Sequence, residues 1–282
     1  VISKDEADYR DIFIMNPAYR IGAKFVEDVN RRLRRHNNLV EAPDKMTKFV
    51  DLVVRAEQIA KEHRGYRPVY FNSDCSRWGP NHMPCFFYAV QAMLLVGLVG
   101  VLALIRYALE QTHRKIVQNP RNLVQYLATR KEENANQAIK KFTAYANDNF
   151  GGPNHPWRMP EGMGQGVYHN TSSTTGSLSA EHVDDMLVRY SAPGGKFELA
   201  GIIFAMSITT SDDLFRAMVA ASAIHAAKIN RELSKRTARL SNIIISPHKS
   251  TSSLVQAEVN SVHINRDPMV TVNPVVKQRA MS

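Results

Sequence analysis

The chain has 282 residues, 36 Lys and Arg against 26 Asp and Glu, a net charge of +10, and 44% hydrophobic residues. That apolar share excludes a chain disordered throughout and is enough for one large domain or two small ones. Two cysteines exclude a disulfide framework and suit a reducing compartment, while the surplus of cations favours a polyanionic partner, either nucleic acid or an anionic membrane.

Near the start, Ile12 and Ile14 alternate like a strand, and Phe25, Val26, Val29 and Leu33 recur at helical spacing. Arg10, Arg20 and Lys24 flank this strand-to-helix join, where guanidinium forks would suit a triphosphate. The plain alternative is a solvated basic face, to which Arg31, Arg32, Arg34 and Arg35 belong. Residues 46 to 63 read as an amphipathic helix with Phe49, Leu52, Val53 and Ile59 on its apolar side. Gly65 ends it, and Pro68 introduces the extended run Val69-Tyr-Phe-Asn-Ser-Asp74.

Cys75, His82 and Cys85 follow in a C-x6-H-x2-C spacing that lacks a fourth ligand, so buried or bystander thiols are expected there instead of zinc. The run Phe86 to Ile105 has Gln91 as its one clearly polar side chain. Its length would span a bilayer, yet it continues into an amphipathic tail and has no hydrophobic partner segment elsewhere. It therefore reads as a helix packed on both sides within the protein. Residues 121 to 148 read as helical beyond Pro120. Gly151-Gly-Pro and Met159-Pro-Glu-Gly162 are loop chemistry that leads into Gly162-Met-Gly-Gln-Gly166 and the Ser/Thr-rich stretch Tyr168 to Thr175. A glycine-rich loop opening onto such a helix start is expected to offer N–H groups and hydroxyls to sugar or phosphate. The helix continues through Glu181 to Tyr190, with Asp184 and Asp185 on a solvated face.

The run Gly201-Ile-Ile-Phe-Ala-Met-Ser-Ile-Thr-Thr210 ends abruptly in Ser211-Asp-Asp213, the pattern of a hairpin whose turn holds oxygen ligands for a hard cation. One acidic pair binds one metal poorly, and the strand ending in Asp74 supplies a second carboxylate. Two such strand ends side by side would clamp two Mg²⁺ about 3.5 to 4 Å apart, the arrangement for in-line phosphoryl transfer. The residues alone therefore point to a nucleotidyl transferase. Beyond them, Val219 to Leu233 reads as a long helix, with His225 as a core or boundary histidine instead of a catalyst. Asn242 to Ile245 and Val259 to Ile264 read as extended, with Lys249 in the loop between them.

Taken in order, these stretches resemble the core of the L-protein RNA-dependent RNA polymerases of bunyavirus-like segmented negative-strand RNA viruses. The resemblance covers roughly residues 9 to 264. Asp74-Cys-Ser-Arg-Trp78 is similar to the family's motif A, with Arg77 in place of its Lys. Gly162-Met-Gly-Gln-Gly-Val-Tyr-His-Asn-Thr-Ser-Ser173 is similar to motif B, with Gly164 where a bulky apolar residue is usual. Ser211-Asp-Asp213 resembles motif C, Lys249-Ser250 motif D, and Glu258-Val-Asn-Ser261 motif E, with Val259 in place of an aromatic. Arg10-Asp-Ile-Phe13 with Glu27-Asp28 resembles the finger motif that precedes motif A.

The resemblance implies an α+β right-hand palm, an antiparallel sheet backed by helices. Residues 1–66 would be partial fingers, 67–265 palm with a helical finger insertion near 121–160, and 266–282 the start of a thumb or a linker. No signal-peptide pattern opens the chain, and a piece of a longer polyprotein or polymerase is expected. Asp74, Asp212 and Asp213 would hold two Mg²⁺ (or Mn²⁺), and Lys249 would protonate pyrophosphate. Arg10, Arg20, Lys24 and Arg77 would meet the triphosphate or RNA, with Ser211 beside the metal ligands. Gln165, Gly166 and Ser172 would position the template base and incoming nucleotide. The partners implied are template and product RNA, nucleoside triphosphates, the rest of the polymerase and the nucleoprotein, in host cytoplasm and virion, with no membrane span. The rivals are a reverse transcriptase or other palm polymerase, and a non-catalytic RNA-binding protein of a ribonucleoprotein, for which the charge would suffice.

Overall fold

A computed structural model describes residues 15–36, 45–76, 81–118, 125, 137–152, 154–158, 162–163, 167–210, 213–246, 250–259 and 262–265. Within them lie seven α-helices, α1 (Pro17–His36), α2 (Lys45–Glu62), α3 (Pro84–Leu94), α4 (Val99–His113), α5 (Gln137–Phe150), α6 (His169–Ser191) and α7 (Ala223–Ser241). The strands are β1 (Arg67–Ser76), β2 (Ile116–Val117), β3 (Trp157–Arg158), β4 (Ile202–Thr210), β5 (Asp213–Ala220), β6 (Ile244–Ile245), β7 (Thr251–Ser253), β8 (Gln256–Val259) and β9 (Val262–Asn265). The class is α+β, as the resemblance implies.

The main sheet has five antiparallel strands in the order β4-β5-β1-β6, with β7 also on β1. Residues 215–220 of β5 are all buried, because this strand has a strand on each edge and helices over each face. Alternation sorts the side chains. Tyr70, Phe215, Ala217 and Val219 face α2, which supplies Phe49, Leu52, Val53 and Ala56, and the β8–β9 hairpin adds Ala257 and Val259. Phe49 meets Phe215 edge-on at 4.8 Å. Val69, Phe71, Met218 and Ala220 face the other way, onto Val183 and Leu187 of α6 and Ala226 and Leu233 of α7. A bulge between Ile202 and Phe204 re-phases β4 so that Phe204 joins the α2 side. Pro68 is tolerated in a central strand because the second edge of β1 is paired only from Tyr70 onward.

A separate core joins α1, α3, α4 and the start of α6 through Val26, Phe87, Ile105, Leu109 and Tyr168. At the N-terminus of α1 the Asn16 side chain accepts from the Tyr19 N–H at 2.8 Å, and Pro17 follows at the first helical position.

The sequence reading is corrected in several places. The apolar run 86 to 105 is not one helix packed on both sides. It breaks between α3 and α4, where Gly97 adopts φ +87, a value that other residues rarely take. Only part of it is packed: Phe87, Val90, Leu95 and Ile105 are buried, while Met93, Val96, Leu98, Val99 and Leu104 are exposed. Among the described residues no helix is long and apolar enough to cross a membrane. Val219 and Ala220 belong to β5, and the following helix starts at Ala223, after Ser222 accepts from the His225 N–H. The helix expected over 46 to 63 spans Lys45–Glu62. Of the expected 121–148 helix, the described residues are Gln125, which is helical, and those from Gln137 on, in α5, while the strand expected at Ile12–Ile14 lies outside the described residues.

Candidate active site

The register of β1 against β5 sets Asp74 opposite Asp213, and β4 sets Thr210 opposite the same Asp213. Directly opposed antiparallel residues have Cβ atoms about 4.5 to 5.5 Å apart on one face. By alternation that face is the one bearing Tyr70 and Phe215, so the two carboxylates stand at the end of the sheet beyond the stretch that α2 covers, and both residues are half-buried. The end of β1 is held on its other edge as well. The Ser246 N–H donates to the Asp74 carbonyl at 2.8 Å, and Cys75 and Ser76 pair with Ile245 and Ile244. Asp74 is thus fixed by backbone pairing on both sides.

Opposed carboxylates repel each other across a ladder. The same donor set, hard oxygens on neighbouring strands, fits a divalent cation such as Mg²⁺. Among the described residues no group of three His, Cys, Asp or Glu is gathered to hold a metal. The third expected ligand, Asp212, lies with Ser211 between β4 and β5, outside the described residues. So do Arg10, Arg77, Gln165, Gly166 and Lys249.

The described part of the expected motif B segment is built from three elements. At its near end the Lys115 ammonium, just past α4, donates to the Gly162 carbonyl at 2.8 Å, and burial pushes its pKa down to about 8. At its far end Tyr168 adopts φ 58 and is buried, its hydroxyl 2.7 Å from Thr112 Oγ1 on α4. Burial, with Tyr19 beside it, holds the Tyr168 phenol above the ordinary range. Glu27 of α1 then caps α6. Its carboxylate accepts from the Asn170 N–H (2.8 Å) and Nδ2 (2.9 Å) and from the Thr171 N–H (2.9 Å) and Oγ1 (2.8 Å).

This differs from the expectation that the Ser/Thr-rich helix start faces phosphate. The first N–H groups of α6 are already taken by Glu27, a charge well matched to a helix N-terminus. The hydroxyls turn inward, with Thr174, Thr175, Ser177 and Ser179 each donating to the carbonyl four residues back. Ser172 is fully buried and donates to the His169 carbonyl at 3.0 Å. It lies within the helix base and offers no exposed hydroxyl.

The remaining candidates are scattered. Arg20 is exposed on α1, and Lys24 one turn on is ion-paired with Asp28 at 3.1 Å. Both sit on the helix that packs against α4 and α6, away from the sheet. Glu258 is buried on β8 opposite His263. His225 is exposed at the start of α7, its ring nitrogen 3.4 Å from the Leu199 carbonyl.

Asp184 corrects the reading of a solvated acidic face. Asp185 is exposed, but Asp184 is buried and paired with the fully buried Arg216 of β5. Ser207 Oγ donates to the same carboxylate oxygen at 3.0 Å, and Arg216 also donates to Asn230 Oδ1 of α7 at 2.5 Å. Burial raises the Asp184 carboxyl above its usual range, against the opposing pull of the guanidinium. The pair ties α6, α7 and the sheet together immediately behind the carboxylate-bearing strand. A lone Arg inside Leu214-Phe-Arg-Ala-Met-Val-Ala220 is the signal that could have found it, because a charge in an otherwise apolar strand needs a buried partner. Nothing local announces Glu27 as the cap of a helix so distant in the chain.

No family model matches this chain, and no curated protein matches it.

Proposed function

We propose that the chain forms the palm and part of the fingers of an RNA-dependent RNA polymerase of the segmented negative-strand viral type. The observation that carries this reading is Asp74 opposite Asp213 at the end of the two central strands, with Ser211-Asp212 in the connection to β4. An antiparallel sheet backed by helices, the class of a palm, supports it too.

In this reading Asp74, Asp212 and Asp213 hold two Mg²⁺ (or Mn²⁺), which when bound supply charge neutralisation at the attacking hydroxyl and the leaving pyrophosphate. The chain's own part is to hold the carboxylates in place. Pairing of β1 on both edges fixes Asp74. Lys249, which precedes β7 in the sequence, would give a proton to pyrophosphate. Arg10, Arg20, Lys24 and Arg77 are the cations available for triphosphate and RNA. Gln165 and Gly166 would meet the template base and nucleotide, whereas Ser172, buried in α6 and donating to the His169 carbonyl, is turned away from that role. Template and product RNA, nucleoside triphosphates, the rest of the polymerase and the nucleoprotein are the partners, in host cytoplasm and virion. A non-catalytic RNA coat would gain nothing from carboxylates that repel phosphate.

The test is nucleotide incorporation beside template binding at fixed salt, for Asp74→Asn and Asp212→Asn in the polymerase that contains this chain. Each substitution keeps shape and removes a ligand charge. Incorporation should fall on the order of a hundredfold or more while RNA affinity is unchanged or slightly higher. Undiminished synthesis by the double variant rejects the reading.

A further inference from the structure

The elbow between α3 and α4 presents apolar side chains that no element of the described fold covers. Val96 is 81% exposed, Val99 75% and Met93 70%, with Leu98 and Leu104 exposed beside them. From Met83 to Ile105 the chain holds no acidic or basic residue, so no charge interrupts the patch. Its backbone closes on itself. The Leu95 N–H donates to the Gln91 carbonyl at 2.9 Å, the Leu98 N–H to the Leu95 carbonyl at 3.0 Å, and the Leu102 N–H to the Leu98 carbonyl at 3.0 Å. A basic cluster lies at the same end of the molecule. Helices α1 and α4 run antiparallel, because the Tyr19 hydroxyl donates to Thr112 Oγ1 at 3.1 Å while a Cβ on Gly22 would stand 3.4 Å from that of Ala108. With the same rise per residue in both helices, Arg31 falls at the level of Val99. Val29 and Leu33 pack against the same core as Val101 and Leu102, as that pairing requires. The last six residues of α1, Arg31-Arg-Leu-Arg-Arg-His36, include four arginines. Arg31 and Arg32 are exposed, Arg31 with Asp28 at 3.0 Å.

We infer that the α3–α4 elbow and the arginine-rich end of α1 together dock on an anionic lipid surface. The elbow enters the boundary between headgroups and acyl chains without spanning the bilayer, and the arginines meet the lipid phosphates. Strength of such binding adds buried apolar area to attraction for anionic lipid, and the two features supply one each. Lipid suits the elbow better than a protein partner does. A protein interface carries about one hydrogen bond per 100 to 200 Å², and Val96-Gly-Leu-Val-Gly100 has no polar side-chain atom to make one. An apolar phase asks for none, provided that the entering backbone is bonded internally, as the turn hydrogen bonds of the elbow are. The net charge of +10 draws the chain toward the same surface. This docking face is independent of the carboxylates and of the polymerase reading.

The test is flotation of the full chain with phosphatidylcholine vesicles made with and without phosphatidylserine. Binding should be about tenfold tighter or more with the anionic lipid. Val96→Ser with Val99→Ser, both at exposed positions, should weaken it by about tenfold, the factor that two partly buried valines supply. Arg31→Gln with Arg32→Gln should weaken it by about the same factor and reduce the preference for phosphatidylserine. Depth is read from Val96→Trp, whose emission should be quenched by brominated acyl chains well beyond the quenching seen in the unmodified chain. No binding to the anionic vesicles overturns the proposal and leaves the elbow to a protein partner. Binding that the two serines leave unchanged, or no added quenching at position 96, shows adsorption by charge alone and overturns it too. The tryptophan variant decides the matter even if the serine variant fails to fold.

Discussion

Replacing Arg216 by Met should be among the most damaging single changes in the protein, and damaging in a pH-dependent way. The guanidinium is 2% exposed and faces Asp184, itself buried, with Ser207 and Asn230 completing the network. Methionine fills much of the volume but leaves the Asp184 charge buried without its cation, which costs about 3 to 5 kcal/mol. Burial already raises the Asp184 carboxyl with Arg216 present, and the largest opposing influence is that cation. Without it the folded-state pKa rises further above the unfolded value. The folded variant then holds a proton that the unfolded chain has released, so its stability is greatest at low pH and is lost as pH rises through the folded pKa. Between pH 7 and pH 5 the deficit relative to the unmodified protein should shrink. Urea unfolding of the single variant and of Arg216→Met with Asp184→Leu, each at both pH values, measures this. The double variant should recover most of the loss, since an apolar pair of similar volume replaces an ionic one at little cost. A deficit that does not change with pH, or a double variant no more stable than the single, refutes the reasoning.

Removing the Glu27 carboxylate with Glu27→Ala should cost about 2 to 3 kcal/mol and speed amide hydrogen exchange at Asn170 and Thr171, because four donors at the start of α6 lose their acceptor. Glu27→Gln should cost less, and an alanine variant within 0.5 kcal/mol of the parent, about the scatter of a neutral surface change, would show that the cap is dispensable. His82 is fully buried and burial pulls its pKa down to about 4. Its neutral form stabilises the fold above the unfolded pKa near 6.5, and that contribution is lost as pH falls toward 4, up to about 3 kcal/mol. Chemical unfolding of His82→Phe should show a shallower decline over that range, and parallel curves for the two proteins would remove His82 as the cause.

The sheet end was legible because β-rich composition and chemistry agree there. Val69 to Asp74 and Ile202 to Thr210 are β-rich runs that stop at acidic residues, and β1 does lie beside the β4–β5 hairpin with Asp74 opposite Asp213. The helix at 45–62 was legible from its apolar residues at a period of 3.6. Unbroken apolar runs were read less well. In Val219-Ala-Ala221 neither period is expressed, so the end of a fully buried strand merged into the helix that follows it. In the run 86 to 105 uniform hydrophobicity hid a break that depends on the positive φ of Gly97. Polar groups were hardest to place. Whether Thr171, Ser172 and Asp184 meet solvent, ligand or protein is decided by α1 and β5, which reach them only in the folded chain.

The central position of β1 sets an order on how the protein can be made. Its ladder partners are β5, β6 and β7, all of which follow α6 in the chain. A ribosome emitting the protein therefore releases Val69, Tyr70 and Phe71 long before any strand exists to accept their N–H and C=O groups, and α2 can shelter one face only. Pairings so distant in sequence form slowly, and an apolar strand left open in the meantime is a site for wrong association. Expression of pieces that stop before Asp213 should yield aggregates, and the smallest fragment with an intact sheet has to reach at least to β7.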